Sequence, residues 1–318
     1  MAFNPESFSK KSVELIGKQI GSGKAIIALS GGVDSSVAAV LVHRAIGDNL
    51  SAVFVDTGLM RLEEAKKVKA MVGSAGIKLH VVEAAPEFFS SLAGVSDPEQ
   101  KRKIIGGKFI EVFEKEAKKS GATFLVQGTI APDWIESGGS GRQTIKSHHN
   151  VGGLPKNMAL GLCEPLRDLY KHEVRALARH LGLPPEISER QPFPGPGLAV
   201  RIVGEITPEK ADIVRAACAI VEDEIESAAK SGKIEKPWQY FAALLPVKTV
   251  GVRGDERHYN YTVVVRAVRS LDGMTINFSH LPPELLEKIS SRITNEIRHV
   301  GRVLYDVTNK PPATVEME

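Results

Sequence analysis

The feature that most constrains the fold is a short apolar run at residues 25–29 that leads directly into the turn SGGVDSS, residues 30–36. An apolar run this short, bounded by glycines, predicts a buried strand. Similar runs follow at 51–55, 78–82 and 123–126, and helical patterns lie between them at 35–46, 62–72 and 98–120. Another helical pattern, at 5–20, precedes the first run. Short apolar strands that alternate with helices are typical of βαβ units, so we expect an α/β domain with a parallel sheet.

The pattern changes in the last third of the chain. The stretch PFPGPG, residues 192–197, predicts a hinge between domains. Beyond it we expect strands at 200–206, 240–245, 261–268 and 303–307, and helices at 208–230 and 282–298. This order predicts a smaller α+β domain with a mixed or antiparallel sheet. The expected domains are therefore residues 1–197 and 198–318.

A third region, residues 130–161, has no regular pattern and is rich in Gly, Ser, His and Asn. A segment of this length without secondary structure inside a compact domain is usually a functional lid or is disordered. We interpret it as a lid over a ligand site.

Composition excludes several classes of protein. The 41 basic and 38 acidic residues give a net charge of +3, which argues against a dedicated nucleic-acid binder. No apolar run approaches the ~20 residues of a membrane span, and the N-terminus does not resemble a signal peptide. The two cysteines, Cys163 and Cys218, are far apart and form no CxxC pair, so we expect a reducing cytoplasm and no zinc site.

The turn after the first strand has the chemistry of a phosphate site. Two glycines let the backbone approach a ligand, and the N-terminus of the following helix attracts an anion. Asp34 fits beside phosphates only if a cation such as Mg²⁺ bridges them, so we predict that it is a metal ligand and catalytic. The predicted phosphate contacts in this turn are Ser30, Gly31, Gly32, Val33, Asp34, Ser35 and Ser36.

Glycine-rich turns have two other interpretations. The turn could be an ordinary strand-to-helix connection with a serine cap, but the full SGGVDS string after a strand is much more specific than that. The nearest match to a Walker A loop, GSGK at residues 21–24, precedes the strand and lacks the first glycine, because Lys18 stands there.

The turn resembles the PP-loop of N-type ATP pyrophosphatases, which have an adenine nucleotide alpha hydrolase-like fold and cleave ATP between its α- and β-phosphates. Longer strings across the chain are similar to one family in that group, the GMP synthases. These strings are QGTIAPDWIESGG (127–139), IKSHHNVGGL (145–154), EPLRDLYKHEVR (164–175), PFPGPGLAVRI (192–202), QYFAALLPVKTVGVRGDER (239–257) and VLYDVTNKPPATVEME (303–318). The chain departs from the family pattern at Trp134, Asn309 and Met317, none of which is assigned to chemistry here.

The resemblance implies the amination of XMP to GMP with ATP and Mg²⁺, through an adenylyl-XMP intermediate. It implies that Lys310 and Arg302 grip the XMP phosphate with help from Gln239 and Arg102, and that Glu316 reads the purine edge. It also implies adenine contacts at Val55 and Leu59, and a homodimer formed through the C-terminal domain.

Three further residues are predicted to be catalytic. Asp133 and Glu136 are three apart, so on a helical turn they would share a face, where they could hold Mg²⁺ or deprotonate ammonium. The alternative is an acidic pair at a helix start, which the family resemblance makes the weaker interpretation. Lys146 would bring a cation to the transferring phosphoryl group from the lid. The adjacent His148 and His149 suit a polar lid better than a metal site.

Neither cysteine suits glutamine hydrolysis. A glutaminase needs a nucleophilic cysteine in a GxCxG-type turn, whereas Cys163 lies in GLCEP and Cys218 in AACAI. The predicted PP-loop begins at Ser30, which leaves no room for a glutaminase domain ahead of it. We therefore expect ammonia to come from a separate glutamine amidotransferase subunit.

Two rival functions remain. One is another ATP pyrophosphatase, such as NAD synthetase or a tRNA thiolase, although the cysteines and surface charge do not favour a thiolase. The other is a module that binds ATP without turning it over, against which the retention of Asp34, Glu136 and Lys146 argues.

Overall fold

The computed structural model describes residues 3–136, 160–270 and 273–318. The helices are α1 (Pro5–Ile20), α2 (Val33–Ile46), α3 (Glu64–Ser74), α4 (Ala85–Leu92), α5 (Pro98–Ser120), α6 (Ala131–Glu136), α7 (Lys171–His180), α8 (Pro185–Ser188), α9 (Pro208–Lys230) and α10 (Pro283–Glu296). The strands are β1 (Ala25–Ala28), β2 (Leu50–Asp56), β3 (Leu79–Glu83), β4 (Phe124–Val126), β5 (Gly161–Cys163), β6 (Gln239–Arg253), β7 (Glu256–Arg269), β8 (Asn277–Phe278) and β9 (Val300–Tyr305).

The chain divides into two compact units. The first unit takes its described residues from Met1–Thr57, Glu63–Ala84 and Gly106–Gly195. The second takes them from Gly58–Leu62, Ala85–Ile105 and Pro196–Glu318. The second unit therefore contains α4 and the first turns of α5, in addition to the segment that follows the PFPGPG stretch.

The first unit contains a parallel sheet in the order β3-β2-β1-β4-β5. The apolar strand β1 is buried at its centre, and α2 packs against β1, α1 and α7. The chain runs outward from β1 through β2 to β3, and then returns to the other side of β1 as β4. This reversal opens a crevice at the carboxyl ends of β1 and β4, which is where ligands bind on such sheets. The predicted α/β class is confirmed.

The second unit contains a mixed sheet, as predicted. Strands β6, β7 and β8 are antiparallel neighbours, and β9 pairs with β7 in parallel. Helix α9 packs on β6, and α10 packs on α9 and β9. The β6–β7 pairing shifts register between Leu245 and Lys248, next to Pro246, which cannot donate a ladder hydrogen bond.

The strand predicted at 200–206 is wrong. This segment begins with a 3₁₀ turn, Gly197–Arg201, and forms only an isolated bridge from Ile202 to Leu244. The run is buried, but burial alone does not distinguish a short strand from a short helix. Helix α4 and strands β5 and β8 were not predicted, and β5 and β8 are too short to show a periodic pattern.

Part of the predicted lid is described. Residues 131–136 form α6, and residues 137–159 lie outside the described residues. Among the helices that the structure does describe, none combines the length and apolar character that crossing a membrane requires.

Candidate active site

The PP-loop connects β1 to α2 at the carboxyl edge of the parallel sheet. Gly31 has φ +77° and Gly32 is the extended N-cap residue of α2. The buried hydroxyl of Ser36 donates to the Gly32 carbonyl at 2.8 Å, so it holds the first turn of the helix. Ser30 and Ser35 lie with their hydroxyl oxygens 3.3 Å apart at the loop, where both can serve a ligand.

Gly31 is required for two separate reasons. Its positive φ is a conformation that other residues rarely adopt. In addition, a Cβ at this position would lie 2.0 Å from Oε1 of Glu64. The loop backbone is therefore packed directly against a carboxylate, which is itself bonded by both terminal nitrogens of Arg190 at 2.6 Å.

The loop after β4 closes the other side of the crevice. A Cβ at Gly128 would lie 3.0 Å from the backbone nitrogen of Ser35, so this loop touches the start of α2. Within the described residues, two buried oxygens lack a hydrogen-bond partner at this edge, Oδ1 of Asp34 and Oγ1 of Thr129. Unpartnered buried oxygens are costly, and they suggest that a ligand or ion completes the site.

Lys171 is a site residue that the sequence did not identify. Its ammonium donates to Oδ2 of Asp34 at 2.6 Å, across 137 residues of sequence. Lys171 is the first residue of α7, and the EPLRDLYKHEVR string that contains it was the only signal available. The contact places a cation beside the PP-loop.

The predicted catalytic residues near α6 are only partly described. Oδ2 of Asp133 accepts from the backbone N–H of Ile130 at 3.0 Å, a contact typical of an acidic residue at a helix start. Glu136 is the last residue of α6. Lys146, His148 and His149 lie outside the described residues.

The predicted adenine contacts fall in different units. Val55 is buried within β2 in the first unit, and Leu59 is fully buried in the second. The Leu59 carbonyl accepts from the N–H of Leu198 at 2.7 Å, and a Cβ at Gly197 would lie 2.3 Å from it. The structure therefore shows Leu59 packed against the 3₁₀ turn that begins at Gly197.

The residues predicted to bind XMP all belong to the second unit. Among them, Gln239 and Glu316 are in contact, because Nε2 of Gln239 donates to Oε1 of Glu316 at 2.6 Å. The three cations bond different partners: Lys310 bonds the Gly273 carbonyl at 2.9 Å, Arg302 bonds the Thr249 hydroxyl at 3.3 Å, and Arg102 bonds Glu99 at 2.5 Å.

Glu316 is also held by an arginine that the sequence reasoning missed. Arg201 is fully buried and bonds both carboxylate oxygens of Glu316, at 3.0 and 2.9 Å. Burial works to lower the pKa of Arg201, but the charges and hydrogen bonds of Glu316 and Cys218 together outweigh it, so the pKa is raised. A charged residue inside the apolar run LAVRIV was the available signal.

Two more buried cations bond the C-terminal segment, residues 306–318. Lys101 donates to the Ile202 carbonyl at 2.8 Å and to Glu318, and burial lowers its pKa. Arg266 bonds Asp306 at 2.5 Å and also donates to backbone carbonyls of the same segment. Those carbonyls belong to Thr308, Thr314 and Val315, at 2.7–3.0 Å.

Comparison with known proteins first defines the class. The family model for NAD synthase matches residues 8–107, which include the PP-loop, and the model for the GMP synthase C terminal domain matches residues 226–317. A PP-loop on a parallel sheet, followed by this second domain, is the arrangement of an ATP pyrophosphatase of the GMP synthase type.

Full-length relatives define the family. A protein from Thermococcus kodakarensis, named as one subunit of a glutamine-hydrolyzing GMP synthase, is 63% identical over 98% of this chain and 99% of its own. The relative of the same name from Pyrococcus horikoshii is 62% identical over 98% of this chain and 98% of its own. The one from Methanopyrus kandleri is 57% identical over 99% of this chain and 100% of its own. The chain belongs to this family of GMP synthase subunits.

Proposed function

We propose that this chain is a ligase that converts XMP to GMP with ATP and ammonia, releasing AMP and pyrophosphate. The observation that carries the proposal is the PP-loop at the carboxyl end of β1, in a chain that matches GMP synthase subunits over 98% of its length. In this reaction the C2 oxygen of the purine attacks the α-phosphorus, and pyrophosphate leaves. Ammonia then displaces AMP. Adenylylation is needed because it converts a poor leaving oxygen into a good one.

The PP-loop would receive the departing pyrophosphate. Backbone N–H groups at the start of α2, together with the Ser30 and Ser35 hydroxyls, are suited to its oxygens. Lys171 adds a positive charge at the same edge of the sheet. These groups stabilise negative charge that grows as the bond between the α- and β-phosphates breaks.

Mg²⁺ fits this site through Asp34. Oδ1 of this carboxylate is buried and has no partner within the described residues, and a hard cation prefers carboxylate oxygen. No cluster of three or more ligating side chains occurs among those residues, so phosphate oxygens and water would complete the coordination. When bound, the ion would neutralise charge on the phosphates.

We assign the remaining catalytic roles from the family resemblance. Asp133 and Glu136, on α6, would assist deprotonation of the incoming ammonium. Lys146 would supply a cation to the transferring phosphoryl group. Val55 and Leu59 would border the adenine.

XMP would bind to the second unit. Arg302 and Lys310 would hold its phosphate, with Arg102 and Gln239 assisting, since arginine can bond two phosphate oxygens at once. Glu316 would face the purine. The contact of Glu316 with Arg201 supports this role by fixing the carboxylate in one position.

We also propose a homodimer formed through the second unit. Several large apolar side chains of β6, β7, β9 and the residues after β9 are exposed, a pattern that often marks a protein interface. They are Val247, Val250, Val252, Tyr259, Leu304 and Val307.

The buried, free cysteines Cys163 and Cys218 are consistent with a reducing cytoplasm.

A separate glutamine amidotransferase subunit would supply the ammonia. The relatives are named as one subunit of a glutamine-hydrolyzing enzyme, which implies a second subunit in those enzymes. In this chain both thiols are buried, and burial raises the pKa of each, so neither is suited to be the nucleophile of a glutaminase.

The test is an assay of pyrophosphate and GMP with the purified chain. XMP, ATP, Mg²⁺ and ammonium should give both products, and pyrophosphate release should stop when XMP is left out. Glutamine should not replace ammonium until an amidotransferase subunit is added. Pyrophosphate release that depends on deamido-NAD instead of XMP would identify an NAD synthetase, and absence of turnover would identify an ATP-binding module. GMP formation from glutamine by the chain alone would refute the separate subunit.

A further inference from the structure

The residues under the PP-loop form a connected set that no sequence motif joins. Glu64, the first residue of α3, has a side chain only 1% exposed, and Arg190, which follows α8, has one 18% exposed. The two side chains form a bidentate pair, with both nitrogen–oxygen distances at 2.6 Å. Nη1 of Arg190 also donates to the carbonyl oxygen of Gly31 at 3.2 Å. One guanidinium therefore connects a buried carboxylate to the backbone of the loop.

The contact with Gly31 fixes the orientation of a peptide group. The carbonyl of Gly31 and the N–H of Gly32 belong to the same planar trans peptide, so they point in opposite directions. While Arg190 holds the carbonyl, the N–H is directed to the opposite side, toward the Ser30 hydroxyl. The Gly32 nitrogen lies 3.4 Å from that oxygen, which is longer than a normal hydrogen bond. The N–H is thus available to a stronger acceptor.

The Gly31–Gly32 peptide needs such a restraint. Glycine adopts many backbone conformations, so two consecutive glycines allow the peptide between them to rotate. Glu64 limits the rotation in two ways: its carboxylate occupies the space beside Gly31, and it locks the guanidinium fork of Arg190. A lysine could not do the same, because a single ammonium lacks the planar fork that bonds two carboxylate oxygens and a carbonyl together.

We propose that Arg190 and Glu64 are positioning residues of the PP-loop, which hold the Gly32 N–H toward the pyrophosphate group of ATP. The inference rests on the proposed function. Neither side chain needs to touch the substrate, since both act through the Gly31 carbonyl.

The test compares Arg190→Lys with a matched variant in the second unit, Arg292→Lys. Arg292 also bonds a buried carboxylate, Glu224, at 2.8 Å, so both variants replace an arginine that neutralises a buried acid. Magnesium pyrophosphate binding is measured by calorimetry, and KM is measured for ATP and XMP in GMP synthesis. We expect Arg190→Lys to weaken pyrophosphate binding and raise the KM of ATP roughly 10-fold, the effect of one lost bond to a charged group, with the KM of XMP unchanged.

A second variant, Glu64→Gln, separates positioning from charge. It removes a negative charge near the phosphates, so a purely electrostatic effect would tighten pyrophosphate binding. Positioning predicts weaker binding, because the amide offers a single acceptor oxygen to the fork of Arg190. Glu64→Gln also provides the test if Arg190→Lys does not fold.

The outcomes test the positioning inference and the proposed function separately. The inference is overturned if pyrophosphate binds Arg190→Lys as well as it binds Arg292→Lys, if the KM of XMP rises as much as that of ATP, or if Glu64→Gln binds more tightly than wild type. Failure of the wild-type chain to release pyrophosphate with XMP would instead refute the proposed function.

Discussion

Removal of the Glu316 carboxylate should destabilise the second unit and also weaken XMP binding. Arg201 has no exposed surface, and Glu316 neutralises it with two hydrogen bonds of 3.0 and 2.9 Å. The Glu316→Ala change removes this carboxylate from beside the buried guanidinium. It also removes the acceptor of Gln239, which bonds Glu316 at 2.6 Å.

The expected cost follows from the burial of the pair. Breaking a buried ion pair by removing one partner costs about 3–5 kcal/mol, because the remaining charge stays in a poorly solvated site. Glu316→Gln keeps one acceptor oxygen for Arg201 but loses the charge, so we expect a smaller loss of roughly 1.5–3 kcal/mol. Glu316→Ala should therefore be the less stable of the two variants.

Urea unfolding followed by the fluorescence of Trp238 would measure these losses. Trp238 precedes β6 in the second unit, and a Trp134→Phe background removes the other tryptophan signal. Glu14→Ala is the matched control, since Glu14 pairs with Lys18 on the exposed surface of α1 and such pairs contribute little. If Glu316→Ala unfolds at the same urea concentration as the control, Arg201 does not depend on this carboxylate and the reasoning is refuted.

Three more predictions concern the site and the thiols. Asp34→Asn should abolish Mg²⁺-dependent pyrophosphate release without changing the melting temperature; near-normal turnover would exclude it as a metal ligand. Lys310→Ala should weaken XMP binding by roughly 10- to 100-fold and leave ATP binding unchanged, whereas Ser35→Ala should weaken ATP binding. Equal effects on the binding of both ligands would contradict the separate sites. Burial and Glu164 raise the pKa of Cys163 to about 11, so iodoacetamide should label the native thiol slowly at pH 8 and faster as the pH approaches 11; rapid labelling at pH 8 would contradict this.

The elements that could be predicted from sequence have strong local signals. The helices predicted at 5–20, 98–120 and 208–230 are observed with those bounds. Each begins with a proline, and Asn4 and Thr207 cap the first and third through their side chains. Such signals lie within a few residues of the helix end, so a single sequence contains all the information that is needed.

The site was predictable only where its chemistry is contained in one turn. Two glycines after an apolar strand identify the PP-loop, and the structure shows the positive φ that the first of them provides. Lys171 and Arg190 could not be assigned in this way. They contact Asp34 and Glu64 across 137 and 126 residues, and only the fold brings these partners together. The strand expected at 200–206 was wrong because the buried run begins with a 3₁₀ turn that ends at Arg201 and does not continue the sheet.

Arginine–carboxylate pairs explain how irregular segments are held in place in this protein. A segment outside a sheet or helix has backbone carbonyls that still require hydrogen-bond donors. Arginine carries five N–H donors in one rigid group, so a single side chain can satisfy several carbonyls at once. Arg266 does this for the C-terminal segment, where it bonds the carbonyls of Thr308, Thr314 and Val315 while Asp306 balances its charge. Arg190 serves the PP-loop in the same way, with Glu64 as the balancing acid. In both segments an arginine with a balancing acid supplies the donors that the backbone carbonyls require.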